Sequence, residues 1–151
     1  MIFSALMTRM ALMYLVDTNV LSEIRKKKSA NKGVSNFFKA AIKNNLNLYL
    51  SVVTIGELRR SVELIRHRGD AIQANLLEKW LNIILNEYKD NILAIDEDVA
   101  QMWGKLRSPH HEHALDKQIA ATALIYGLTV VTRNEKDFLR TGVNVLNPFE
   151  K

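Results

Sequence analysis

The chain has 151 residues, 48% of them hydrophobic and 25% charged, so it is long and apolar enough for one compact domain and too apolar for intrinsic disorder. It has no cysteine, which excludes disulfides and thiolate metal sites, leaves oxygen and nitrogen atoms as metal ligands, and fits a reducing cytoplasm. Its 21 lysines and arginines exceed its 16 acids, and the formal charge of +5 weakly favours a polyanionic partner.

Residues 1–12 are largely apolar but are interrupted by Arg9. They lack the small-residue cleavage site of a signal peptide and are too short for a transmembrane helix. Later methionines offer alternative start sites. We therefore expect residues 1–12 to be a non-native or frayed extension and residues 13–151 to form the domain, in a cytoplasmic protein without a membrane span.

Five short apolar runs have the character of strands that are covered on both faces of a sheet. In chain order they are 14–16, 48–51, 92–95, 129–132 and 143–146. Runs this brief and this apolar are typical of parallel sheets, in which helices pack on each side. No Pro-rich or Gly-rich linker separates them, so the sequence predicts one domain.

Helical patterns fill the segments between these runs, and 54–68 and 71–88 are the longest. Asp96 has the position of a cap for a helix that ends near Arg107, and Gly127 is typical of a helix stop. The alternation of strands and helices predicts an α/β domain with a central, largely parallel five-stranded sheet flanked by helices. In the second long helix, five apolar residues at helical spacing are expected in the core: Ile72, Leu76, Trp80, Ile83 and Ile84.

Oxygen-bearing side chains follow the predicted strands, where parallel sheets bind their ligands. They are Asp17, Glu57, Asp116, Asn134 and Asp137. Each has an ordinary structural explanation, such as a helix cap at Asp17, a capping box from Thr54 to Glu57, or an acid in the first turn of a helix. Several carboxylates in one pocket repel each other unless a cation or proton is present, and magnesium or manganese prefers oxygen ligands.

Four blocks of sequence carry a resemblance to a known family, and with the ending NPF they extend over nearly the whole chain from Tyr14. The blocks are VDTNVLSE at 16–23, LSVVTIGELR at 50–59, DKQIAATA at 116–123 and TVVTRNEKDF at 129–138. In this order they resemble a PIN domain of the VapC and FitB toxin group. The resemblance implies a Mg²⁺- or Mn²⁺-dependent endoribonuclease, the toxin of a type II toxin–antitoxin pair, with an RNA substrate, a small cognate antitoxin and a homodimeric state.

By this resemblance, Asp17, Glu57 and Asp116 are catalytic acids, and Asp17 and Asp116 are metal ligands. The family often has a further aspartate where this chain carries Asn134. Asp137, three residues later, could supply the missing carboxylate directly or through water. Both Asn134 and Asp137 are therefore candidate site residues, and which of them completes the site stays open.

The resemblance also implies residues that support the acids and the RNA. Asn19 matches a position that supports Asp17, and Thr132 is expected to orient the loop after the fourth strand. Arg133 lies beside the acids in sequence and Arg107 precedes the loop to Asp116, so both are candidates for RNA phosphate contacts. Further basic runs that could contact phosphates are 25–28 and 66–68.

The residues also suggest two hypotheses other than a nuclease. Other phosphate-handling α/β domains fit poorly, since the second aspartate of dehalogenase-like phosphatases, the paired acids of receiver domains and the Walker and Rossmann glycine motifs are all missing. A PIN fold whose weakened site only binds nucleic acid or protein stays open because of Asn134. The histidines at 110–113 lack the fixed spacing of a zinc site, so we expect no specific metal binding from them.

Overall fold

The structure is a computed structural model that describes residues 13–151; the extension expected at 1–12 lies outside the described residues. Within that range the chain forms one parallel sheet with strand order β3-β2-β1-β4-β5, flanked by helices. The strands are β1 (Met13–Val16), β2 (Asn47–Ser51), β3 (Ile92–Leu93), β4 (Thr129–Val131) and β5 (Val145–Leu146). The predicted α/β fold with a five-stranded parallel sheet is confirmed.

Seven α-helices accompany the strands within residues 13–151. They are α1 (Thr18–Ile24), α2 (Lys32–Lys43), α3 (Val52–His67), α4 (Ala71–Glu87), α5 (Glu97–Leu106), α6 (Ala114–Tyr126) and α7 (Glu135–Phe138), with a 3₁₀ turn at Lys27–Ser29. Asp96 caps α5 by accepting a hydrogen bond from the Val99 N–H at 2.9 Å. Gly127 ends α6 in the left-handed conformation with φ of 67°, where glycine has no steric penalty. Both helix signals in the sequence were thus correct.

The core lies on both faces of the sheet, with β1 at its centre. Successive strand residues face opposite sides, so the fully buried Leu15 and Val16 belong to different clusters. Val16 packs in the larger cluster with residues of α1 to α4, and Leu15 packs with residues of α6 and with Phe138 of α7. This double cover explains why β1 is apolar throughout and why the first polar side chain, Asp17, comes where the strand ends.

The predicted core face of α4 is wrong for three of its five residues. Ile72, Leu76 and Ile83 are exposed by 75%, 51% and 54%. The buried stripe instead consists of Ala74, Leu77, Leu81 and Ile84. Two stripes of this helix are similarly apolar, so helical spacing alone does not decide which one faces the core.

Among the helices of residues 13–151, none is both long and apolar enough to cross a bilayer.

Candidate active site

Asp17 stands at the carboxyl end of the central strand and caps α1. Its Oδ1 accepts a hydrogen bond from the Thr18 N–H at 2.8 Å, and its Oδ2 accepts from the Thr132 hydroxyl at 2.8 Å and from the Asn19 amide at 3.2 Å. Burial raises the pKa of this carboxyl, and the hydrogen bond from Thr132 partly offsets that rise. Asp17 is therefore a buried, fully oriented carboxylate.

Asn19 and Thr132 join α1 to the loop that follows β4. The Asn19 amide donates to Thr132 Oγ1 at 3.3 Å, and its carbonyl oxygen accepts from the Arg133 N–H at 3.1 Å. Thr132 Oγ1 also accepts from the Asn134 N–H at 3.0 Å. The structure thus places both predicted supporting residues in contact with Asp17 and gives each of them a second bond that fixes the loop.

Glu57 projects from α3. This helix follows β2, the strand beside β1, and Asp17 follows β1. The predicted capping box is wrong: Ser51 caps this helix, and Thr54 lies inside it, with a buried hydroxyl that has no hydrogen-bond partner within the described residues. Glu57 is free of a capping role, and its Oε1 accepts from the Thr18 hydroxyl at 3.0 Å. Burial, and to a lesser degree the charge of Asp17, raises the pKa of Glu57.

Asp116 lies close enough to the other acids for their charges to change its pKa. It occupies the first turn of α6 and is half-buried. Burial, followed by the negative charges of Asp17, Asp137 and Glu57, raises the pKa of Asp116 to about 6. Four carboxylates from four helices or helix starts, 120 residues apart in sequence at the extremes, thus share one electrostatic environment.

The structure separates the two candidates for the last position in this cluster. Asp137 is half-buried in α7, and its charge raises the pKa of both Asp17 and Asp116. Asn134 precedes α7 with an exposed side chain that makes no capping hydrogen bond, while its backbone N–H anchors the loop to Thr132. Asp137 is therefore the fourth carboxylate of the cluster.

His113 is a further member of the cluster, although no specific metal binding was expected from the histidines at 110–113. Its Nδ1 lies 3.9 Å from Asp137 Oδ1, and ligand atoms of His113, Asp116 and Asp137 all lie within 4.8 Å of one another. The signal that could have found it was its spacing, because a residue three positions before Asp116 stands at the start of the same helix.

The two candidate RNA-binding arginines differ in their surroundings. Arg133 is exposed directly after Thr132, with its guanidinium 4.8 Å from the centre of the Phe149 ring. Arg107 packs over Trp103 at 4.7 Å and donates to a loop carbonyl, that of His111, at 3.4 Å. The basic runs are likewise partly engaged, since Arg66 pairs with Glu63 and Glu78, and Lys26 pairs with Glu23.

Comparison with known proteins identifies the family that this site belongs to. The PIN domain family profile matches residues 14–144. An alignment of 143 residues with toxin FitB of Neisseria gonorrhoeae shows 36% identity and covers 91% of this chain and 99% of that protein. The VapC ribonuclease Y4jK of Sinorhizobium fredii is 29% identical over 144 residues, with the same coverage. The crystal structure of FitAcB from Neisseria gonorrhoeae superposes with a TM-score of 0.77 at 36% identity, and the match covers 90% of this chain and 98% of that one.

The profile match, the FitB relationship and the superposed structure agree with one another and extend over the same part of the chain. They confirm the resemblance found in the four sequence blocks. This chain therefore belongs to the PIN domain family, in the group that includes the toxin FitB.

Proposed function

We propose that this protein is a divalent-metal-dependent endoribonuclease that acts as the toxin of a type II toxin–antitoxin pair. The observation that carries the proposal is the group of four carboxylates, Asp17, Glu57, Asp116 and Asp137, whose mutual repulsion helps to raise the pKa of Asp116 to about 6. Relatives named as a toxin and as a ribonuclease support the same assignment. We extend this activity to the present chain because it has the acid cluster and because the matches cover 99% of each relative.

The donor atoms of the cluster fit a hard divalent cation. Carboxylate oxygens are the ligands that Mg²⁺ and Mn²⁺ prefer, and a cation would relieve the repulsion that the four acids impose on one another. Asp17 and Asp116 would hold the cation, Asp137 would supply a further carboxylate ligand, and Glu57 would complete the acidic site. When bound, such a cation polarises the phosphate and lowers the pKa of water at the site.

The protein's own residues have distinct parts in phosphodiester hydrolysis. Thr132 and Asn19 hold the Asp17 carboxylate in one orientation through short hydrogen bonds. Glu57 keeps a raised pKa beside them, which makes it a better proton acceptor for the attacking water than a solvated carboxylate. The water oxygen bonds to phosphorus and gives its proton to Glu57, the bond from phosphorus to the leaving ribose oxygen breaks, and that oxygen takes a proton from solvent. No side-chain nucleophile is required.

RNA would reach the acids past Arg133. This arginine is exposed, lies in the loop that Thr132 and Asn19 fix, and carries a charge suited to a phosphate. Arg107 would contribute less, because its guanidinium is stacked on Trp103 and bonded to the His111 carbonyl. The formal charge of +5 would add a general attraction that weakens with salt.

We further propose that the antitoxin docks on the exposed face of α2. Ile24, Phe38 and Ile42 lie between two adjoining grooves, and Ile42 is 79% exposed. One groove is bordered by four lysines, Lys27, Lys28, Lys32 and Lys39, and the other by the apolar side chains of Trp80 and Ile83. This surface fits an apolar antitoxin segment with acidic flanks, and a solved structure from Klebsiella pneumoniae that is 25% identical to this chain is a toxin–antitoxin complex.

Coexpression with the cognate antitoxin tests that docking surface. Ile42→Asp places a charge in the apolar strip at an exposed position, so we expect it to release the antitoxin and restore growth arrest. Ile125→Asp on α6, at another exposed apolar position, is the matched control and should stay neutralised. Equal neutralisation of both variants would refute the surface. Sedimentation of the purified toxin would separately test the expected homodimer.

The alternative function, a binding module with a weakened site, depends on Asn134. Asp137 restores a fourth carboxylate three residues later, so the cluster does not lack charge. This is why we favour an active nuclease. RNA that binds to the purified protein without being cleaved in Mg²⁺ or Mn²⁺ would establish the alternative instead.

The proposed activity is tested by incubating purified protein with transfer, ribosomal and messenger RNA in Mg²⁺ and in excess EDTA. We expect cleavage in Mg²⁺ alone and none by Asp116→Asn. Asp90→Asn is the matched control, because this exposed aspartate lies at the opposite, amino-terminal edge of the sheet, before β3. Cleavage that persists in chelator, or in folded Asp116→Asn, would contradict the proposal.

A further inference from the structure

The histidines of the loop before α6 divide into two kinds of environment. His110 and His111 lie beside Glu112, with Nδ1 to carboxylate distances of 3.6 and 4.0 Å, and the His111 side chain is 86% exposed. His113 turns to the acid cluster, where its Nδ1 lies 3.9 Å from Asp137 Oδ1. The sequence run thus contains one imidazole within ligand distance of Asp116 and Asp137, and two that lie beside Glu112.

The loop that carries His113 is tied down by three side chains. The ammonium group of Lys117, which is buried, donates a hydrogen bond to the His110 carbonyl. The Trp103 indole donates to the Ala114 carbonyl at 3.0 Å, and Arg107 donates to the His111 carbonyl at 3.4 Å. These bonds on both sides of His113 fix the position of its backbone, and therefore the approach of its ring to Asp137.

The distances suit a shared ligand position better than a direct bond between the side chains. A separation of 3.9 Å is too long for a hydrogen bond between His113 and Asp137. Two ligand atoms that each lie about 2.1 Å from one cation are at most about 4.2 Å apart, so this pair fits on one cation. Asp116 belongs to the same group within 4.8 Å, and a small rotation of the exposed His113 side chain can close this distance.

We propose that His113 is a nitrogen ligand of the divalent metal, together with Asp116 and Asp137, and that it makes this chain select Mn²⁺ over Mg²⁺. The proposal rests on the proposed function, since it adds a residue to the same metal site. Imidazole is a good ligand for transition metals, whereas Mg²⁺ strongly prefers oxygen and water. Loss of the imidazole should therefore weaken Mn²⁺ binding much more than Mg²⁺ binding.

Electron spin-echo measurements on the Mn²⁺-loaded protein test the nitrogen ligand without any use of nuclease activity. We expect modulation from a coordinated imidazole ¹⁴N in the wild-type protein and its loss in His113→Gly. Glycine is the suitable replacement because His113 has φ of 56°, a left-handed conformation that glycine adopts without strain. Calorimetry of the same variant should show Mn²⁺ affinity lower by about tenfold or more and Mg²⁺ affinity changed by less than about twofold.

His111→Ala is the matched control, since it removes an imidazole of the same loop that faces away from the cluster, and it should keep the ¹⁴N signal. Asp116→Asn distinguishes a wrong assignment of His113 from a wrong assignment of the metal site. If Asp116→Asn lowers Mn²⁺ affinity while His113→Gly changes neither affinity nor signal, the His113 assignment alone is overturned. If Asp116→Asn has no effect on Mn²⁺ binding, the proposed metal site itself is wrong.

Discussion

The two sides of the acid cluster are built differently. On the sheet side, Asp17 is buried and accepts three hydrogen bonds, and its partners Asn19 and Thr132 are bonded again to the next loop. On the loop side, Asp137 is half-buried in a four-residue helix, and its Oδ1 lies 3.9 Å from His113 Nδ1. Charge rather than hydrogen bonding relates the second side to the first.

This contrast indicates that the site is preorganised on one side and adjustable on the other. The sheet side would define the position of a cation before it arrives, because its carboxylate has one orientation. The loop side would close on the cation and vary its preference. Changes on the sheet side should therefore act on turnover in all metals, whereas changes on the loop side should act on affinity and metal choice.

The largest expected effect comes from the three acids that the sequence blocks identify, Asp17, Glu57 and Asp116. We expect the rate of RNA cleavage to fall by about a thousandfold or more in each of three variants, Asp17→Asn, Glu57→Gln and Asp116→Asn. When residues act as one unit, the loss of any one of them removes most of the activity. Circular dichroism should show an intact fold for each, and growth arrest should be relieved. A folded variant that cleaves near the wild-type rate would remove that residue from the site.

Exchange of the metal is the next sharpest test of the comparison. Ca²⁺ takes more ligands at longer distances than Mg²⁺, so it should occupy the adjustable site and still lower cleavage by about a hundredfold. Cleavage measured in Mg²⁺, Mn²⁺ and Ca²⁺ at saturating concentrations checks this. Full activity in Ca²⁺ would mean that the sheet side does not impose a strict geometry.

Asp137→Ala and Asn134→Ala compare two residues on the loop side. We expect Asp137→Ala to weaken Mn²⁺ binding about tenfold, since it removes a charge that acts on both Asp17 and Asp116. Asn134→Ala should change it by less than about twofold, because its amide is exposed and it is the backbone N–H that bonds to Thr132. The opposite order, measured by calorimetry and single-turnover cleavage, would make the amide the fourth site residue.

The smallest predicted effect concerns the stability of the metal-free protein as pH changes. The folded state raises the pKa of Asp116 from 3.8 to about 6, so its protonated form favours folding, and that contribution is lost as pH rises through about 6. Asp116→Asn carries no charge. In EDTA at pH 8 it should exceed the wild type in unfolding free energy by about 1–2 kcal/mol after allowance for solvent screening, with no difference near pH 4.

Urea unfolding of both proteins at several pH values checks this sign, and added Mn²⁺ should reverse it by stabilising only the wild type. A metal-free Asp116→Asn that is less stable than the wild type at pH 8 would show that Asp116 has a structural partner rather than repelling neighbours.

Local patterns were sufficient to predict the sheet and the acids that follow its strands. An apolar run followed at once by a polar residue marks both the strand and its carboxyl end, and this is how Asp17 was found. Glu57 and Asp116 follow from the same logic, because parallel strands bring their carboxyl ends to one edge. The two edge strands, β3 and β5, have two residues each, whereas the predicted runs had four, since an edge strand pairs on one side only.

Features that depend on side-chain orientation could not be predicted. In α4 the sequence offers two apolar stripes, and the packing of α3 decides which one is buried. The choice between Asn134 and Asp137 depends on how α7 turns after β4, and the position of His113 depends on bonds from Trp103, Arg107 and Lys117 to the backbone of its loop. None of these is visible in the spacing of residues along the chain.

The acid cluster is proposed to bind a divalent cation and to cleave RNA with it. The decisive measurement titrates metal-free protein with Mn²⁺ while the melting temperature and the single-turnover cleavage of one labelled RNA are followed in the same samples. We expect both to rise over the same Mn²⁺ range in the wild type and neither to rise in Asp116→Asn. Full cleavage before any metal is added, or cleavage that appears without stabilisation of the protein by Mn²⁺, would contradict the account.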